Sequence, residues 1–155
     1  MFVAVLASFF VAILAPLLVR GARETSAWLL ALLPLGLMVY FATLLPQITN
    51  GETLLEVVPW LPALDISLSF RLDGLSLLFA LLISGIGVLI VLYAGTYLKD
   101  DKQLPRFYLF LLAFMAAMLG LVLSDNLITL FVFWELTSLT SYFLIGYKHN
   151  YEDSR

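Results

Sequence analysis

The 155-residue sequence has no cysteine, a single histidine, and charged side chains at only 12% of positions. Without cysteine there are no disulfides, thiolate metal sites or cysteine nucleophiles to consider. No His/Glu cluster has metal-binding spacing, no G-x-S-x-G or phosphate-cradling glycine loop is present, and no buried histidine neighbours a serine. An intramembrane hydrolase would need at least one of these, so the sequence predicts no enzyme centre, cofactor or metal. No nucleic-acid partner is expected either. A soluble domain carries about a quarter charged residues, roughly twice the share found here.

What is present is apolar. Hydrophobic residues make up 63% of the chain and the mean hydropathy is +1.04. They fall in runs of roughly 20 residues, the length that crosses a bilayer. The pattern predicts an all-α, polytopic transmembrane bundle forming one domain over 1–155, with spans at about 2–19, 27–48, 74–98, 106–123 and 127–147. No basic residue precedes the first span, while Arg20 and Arg23 follow it, which argues for a retained helix over a signal peptide. Pro34 is expected to kink the second span. Asp73 and Asp125 are candidate N-caps for the third and fifth. The "SDN" at 124–126 leaves room only for a tight turn, so spans four and five should pack antiparallel.

Basic residues give the chain a direction. Arg20 and Arg23, then Lys99, Lys102 and Arg106, then Lys148 and Arg155 fall on one side, against Arg71 alone on the other. Seven against one predicts an external N-terminus and a cytoplasmic C-terminus. In the external loop, "LDISLSFRLD" (64–73) alternates apolar and polar residues as a half-buried strand does. The preceding "TLLEVVPWLP" could pair with it as a short β-hairpin within 53–73, or the whole loop could lie extended with its leucines on the bilayer interface. A lone hairpin needs something to pack on, which suggests a neighbouring subunit. Small residues spaced four apart, Ala80 with Ser84, Ala113 with Ala117 and Ala116 with Gly120, let helix backbones approach closely.

One residue breaks the apolar pattern of the fifth span, "FVFWELTSLTSYFLIGY" (131–147). Glu135 is its ninth residue, roughly 12 Å from the external end at 1.5 Å per residue. A charge at the bilayer centre costs about 2.5–3.5 kcal/mol on insertion scales, so such acids mark proton or ion pathways more often than packing. Desolvation disfavours the carboxylate, and an acid so placed can exchange a proton near neutral pH. Tyr142, Ser138, Ser141 and Thr137 share an arc of about 160° next to it on a helical projection. Ser138 and Tyr142 could therefore carry a water chain from the acid towards the cytoplasm. The plainer alternative is a neutral packing acid, with the hydroxyls bonded to their own backbone carbonyls. All eight Lys and Arg residues lie in loops or the tail, so no cation within the spans can pair with Glu135. His149, just past the last span, reads either as a solvated interfacial residue or as a proton collector.

"FRLDGLSLLFALLISGIGVLIVLYAGTYL" followed by "LSDNLITLFVFWELTSLTSYFLIGY" resembles the N-terminal part of the antiporter-like membrane subunits. That family includes the large A-type subunit of Mrp-type multisubunit sodium/proton antiporters and the distal proton-pumping subunit of respiratory complex I. The wording around Glu135 is closer to the antiporter form. The likeness is specific from about residue 70 to 150, and residues 1–60 agree only in hydropathy. The resemblance implies a multi-pass subunit of a cell-membrane complex, surrounded by lipid and partner subunits, that moves protons and Na⁺. It also implies that Glu135 matches the family's acid on the fifth helix, which works with a lysine on a later, broken helix. No such helix occurs by Arg155, which suggests an N-terminal portion or one piece of a split subunit. A proton-pumping subunit of a complex I-like oxidoreductase, or a structural subunit in which Glu135 only locks helix packing, are the competing expectations.

Overall fold

A computed structural model describes residues 1–23, 25–61, 63 and 66–148, with the Lys148 side chain outside that description. His149 and Arg155 lie outside the described residues, as do Leu64 and Asp65 at the start of the alternating segment. The elements are α1 (Phe2–Gly21), α2 (Ser26–Thr43), α3 (Leu45–Thr49), β1 (Leu54–Leu61), β2 (Ile66–Leu72), α4 (Gly74–Tyr97), α5 (Leu104–Val122) and α6 (Leu127–Ile145). Among the described residues, five helical segments are long and apolar enough to cross a membrane, α2 and α3 counting as one. They match the five expected spans.

Pro34 sits inside α2 without ending it, and the break comes at Leu44, just ahead of Pro46. Pro46 has no N–H for the ladder, so the helix restarts with proline in its first turn, where that donor is not needed. Asp73 is the N-cap of α4: its carboxylate accepts from the N–H groups of Leu75 and Ser76, and the Ser76 hydroxyl closes a capping box. Asp125 does not cap α6. Asn126 does, accepting the Thr129 N–H at 2.7 Å. Both residues can cap, but the Asp125 N–H donates to the Ser69 carbonyl, and its carboxylate accepts the Ser69 hydroxyl at 3.1 Å. The strand has drawn Asp125 one position too far from the helix.

That strand belongs to the hairpin, which forms: β1 and β2 pair antiparallel from Leu54↔Leu72 to Leu61↔Ile66, with a register slip between Pro59 and Leu61. Its support comes from this chain. Phe70 and Leu72 are fully buried, and Phe70 lies 5.9 Å from the Phe2 ring and 5.8 Å from the Phe133 ring. Beyond β2, the ladder continues into the α5–α6 turn through a bridge from Phe70 to Ser124. The Arg71 N–H donates to the Leu123 carbonyl, the Asn126 amide to the Ser67 carbonyl, and the Ser69 N–H to the Thr129 hydroxyl.

α1 packs chiefly on α5, α2 on α4, and α6 on α5. Small residues make these approaches: Ala80, Ser84, Ala116 and Ala117 are buried. A Cβ on Gly120 would collide with the Phe133 ring, and one on Gly95 with Ala27. At the other end of the bundle, Arg23 donates to the carbonyls of Lys99 and Asp101, tying the α1–α2 and α4–α5 loops together. Tyr147 donates to the Asp101 carboxylate at that same end. The hairpin, residue 1 and the α5–α6 turn thus lie at one end, and the lysine- and arginine-rich loops at the other. Arg20 and Arg106 are not in loops, as expected from sequence, but in the last turn of α1 and the first turn of α5.

Candidate functional site

α6 is divided lengthwise by what its residues touch. Thr129, Phe133 and Thr140 recur at helical spacing and are buried. Phe133 fills the space that Gly120 leaves on α5 and stacks 6.5 Å from Phe9 of α1. The other face carries Phe131, Trp134, Glu135, Ser138, Leu139 and Tyr142, all exposed. α6 is the least covered span, with 17% of its central window buried against 28% or more for the others.

Glu135, Ser138 and Tyr142 therefore do share one face, and that face points away from this chain's own bundle. No described residue forms a hydrogen bond or ion pair with Glu135, and no described lysine or arginine reaches the middle of any span. The neighbouring hydroxyls are engaged locally. Thr137 and Ser138 donate to the Trp134 carbonyl at 2.7 and 3.1 Å, Thr140 to Leu136, and Ser141 to Ser138. This is the usual use of serine and threonine inside membrane helices. Their oxygen lone pairs still face outward as acceptors, and the Tyr142 hydroxyl, 72% exposed as a residue, remains available. The arrangement is an exposed polar patch on a helix surface whose acid has no ion-pair partner among the described residues.

Sequence reasoning named Gly120 as a position of close approach but missed Ser69, Thr129 and Phe133, which hold α6 in place. The Ser69–Thr129 bond joins positions 60 apart, and nothing local to either signals it. Among the described residues no group of three or more His, Asp or Glu side chains comes together as a metal site.

Comparison with known proteins bears on what completes the site. Residues 60–108 match a family model described as the N-terminus of chain 5 of NADH-ubiquinone oxidoreductase (complex I). The chain is 50% identical to the A-type subunit of the Na(+)/H(+) antiporter of Alkalihalophilus pseudofirmus, over 97% of this chain and 19% of that protein. It is 44% identical to the A1-type subunit of a Na(+)/H(+) antiporter of Staphylococcus haemolyticus, over 94% of this chain and 18% of the relative. A chain in the Mrp complex from Dietzia sp. has the same fold with a TM-score of 0.80 at 35% identity, over 93% of this chain and 15% of that one. A chain of an archaeal membrane-bound sulfane sulfur reductase shares the fold alone, with a TM-score of 0.71 at 18% identity over 96% of this chain and 31% of its own. The likeness extends well into the first 60 residues, where the sequence by itself offered only hydropathy. This chain spans about a fifth of the length of the relatives it matches. With that identity along nearly all of its residues and that fold, the chain belongs to the antiporter-like membrane subunits, in a part like the N-terminal region of the large A-type subunits of Na(+)/H(+) antiporters.

Proposed function

We propose that this protein is a membrane subunit of a multisubunit monovalent-cation/proton antiporter, and that Glu135 carries a proton, or the charge coupled to Na⁺ movement, along part of the path. The observation that carries this reading is the position of Glu135: mid-span, on the outward face of the least covered helix, with no described cation paired with it. An ionised acid facing hydrocarbon would be costly, so that face calls for a polar or cationic neighbour beyond the described residues. A lysine on a neighbouring helix would supply such a partner. Ser138 and Tyr142 supply acceptor and donor positions for water on the same face.

The basic end of the bundle is taken as cytoplasmic and the hairpin end as external, on the excess of lysine and arginine. The bilayer is taken as the cell's inner or plasma membrane. In the assembled complex, Glu135→Gln should cut Na⁺-driven proton movement per assembled complex by about a hundredfold, the low side of what a positioned acid supplies. Everted vesicles with a pH-sensitive dye measure this. Unchanged transport at normal assembly overturns the reading, and reduced assembly with unchanged transport per complex assigns Glu135 to packing.

A second reading, a proton-pumping subunit of a complex I-like oxidoreductase, draws support from the family model matched at residues 60–108. It requires proton movement driven by quinone reduction in the same vesicles, and the antiporter reading requires it to be driven by a cation gradient.

A further inference from the structure

At the basic end, a groove of about 620 Å³ opens between the last turn of α1 and the start of α5. Arg20, Arg23, Lys102 and Arg106 line it together with Val19 and Pro105, and no described acid does. None of the four cations is in an ion pair among the described residues. Arg23 is held by the carbonyls of Lys99 and Asp101 through Nε and Nη2, leaving Nη1 without a described partner. Arg106 lies 5.6 Å over the Phe110 ring. Four cations converging with no ion-pair partner among the described residues repel one another, the Asp101 carboxylate at this end accepting the Gln103 N–H, and the first turn of α5 adds its own positive end. Asp100, an acid near this end, lines the neighbouring groove instead.

We propose that this groove binds the headgroup of an anionic membrane phospholipid. Its height selects a lipid over a free ion, because the groove lies where α1 and α5 end their apolar spans. On α1, Phe10, Ile13 and Leu17 precede Arg20 at helical spacing and are 63–67% exposed. A phosphodiester seated at Arg20 thus has an uncovered apolar track for its acyl chains. Gln103 completes the groove wall between Lys102 and Arg106. Phosphatidylglycerol, a phospholipid with one net negative charge, is the apt probe. Basic pockets between membrane helices at a cytoplasmic surface bind such headgroups by the same chemistry. The site is independent of whether ions cross near Glu135.

The full protein, purified and reconstituted in nanodiscs of phosphatidylcholine with a minor share of phosphatidylglycerol, provides the test, with retained lipid counted by native mass spectrometry after mild delipidation. The wild type should retain phosphatidylglycerol over phosphatidylcholine, and a triple Arg20→Gln, Lys102→Gln, Arg106→Gln variant should lose at least about tenfold of that preference. An Arg20→Lys, Arg106→Lys variant keeps the charge and should retain most of it. Arg71→Gln, at the opposite end, should leave it unchanged. Equal retention of the two lipids by the wild type overturns the proposal, as does a loss in Arg71→Gln matching the triple variant. Full displacement of the lipid by millimolar inorganic phosphate overturns the assignment to a lipid.

Discussion

Asp73 and Glu135 are both carboxylates on helices, and their surroundings treat them in opposite ways. Asp73, outside the spans, is held below the usual aspartate range chiefly by the Ser76 N–H. Partial burial works against this, while the Ser76 hydroxyl, the Leu75 N–H and the Arg71 charge add to it. A carboxyl depressed in the folded state stabilises it above the unfolded aspartate value, about 3.9, and that stability is lost as pH falls through the lower folded value. Amide exchange at residues 75–77, corrected for intrinsic rates, should therefore accelerate only below about pH 4. Asp73→Asn should remove that dependence. Gly120 offers a second test at a single atom. The Phe133 ring that fills its place is hemmed in by Phe9 and Phe70, so it has little room to yield. Gly120→Ala should cost on the order of 1–3 kcal/mol through overpacking, read as a lower melting temperature in detergent.

Among the elements, the junction of β2 with the α5–α6 turn distinguishes two substitutions at Asn126. Asn126→Ala removes both the cap to Thr129 and the amide bond to Ser67 and should cost about 1 kcal/mol or more. Asn126→Asp keeps the cap, loses the bond to the strand, and should cost less. Thermal melts of the two variants check that order. The hairpin itself was legible because alternation with period two is a local signal, and the spans because runs of roughly 20 apolar residues are. The cap was misread because "SDN" offers two competent residues, and the choice between them is made by Ser69, far away in sequence. The angular pattern around Glu135 correctly put Ser138 and Tyr142 on its side of α6. It could not tell whether that side was covered, since coverage depends on where α5 and α1 pack.

For the whole molecule, the absence of cysteine becomes an experimental advantage. Single-cysteine variants at Glu52, in the loop ahead of the hairpin, and at Lys102, in the basic loop, stand at opposite ends of the bundle and are both exposed. With the orientation proposed above, a membrane-impermeant maleimide should label Glu52→Cys in intact cells and Lys102→Cys only after lysis or in inverted vesicles. The reverse pattern would invert the bundle and move the lipid groove to the outer leaflet.

The strand-to-turn bonds also limit how α6 can move. Ser67, Ser69 and Arg71 of β2 grip positions 126, 125 and 123, and Ser69 also holds Thr129 one turn further on. A piston stroke of α6 along the membrane normal would have to break several of these at once. Rotation of α6 about its own axis would break the Ser69–Thr129 bond and pull Phe133 off Gly120, so a tilt of the far end about the gripped one disturbs these contacts least. Glu135, six positions beyond Thr129 and two beyond Phe133, is thus held close to one depth and one facing, so that whatever it exchanges with must come to it.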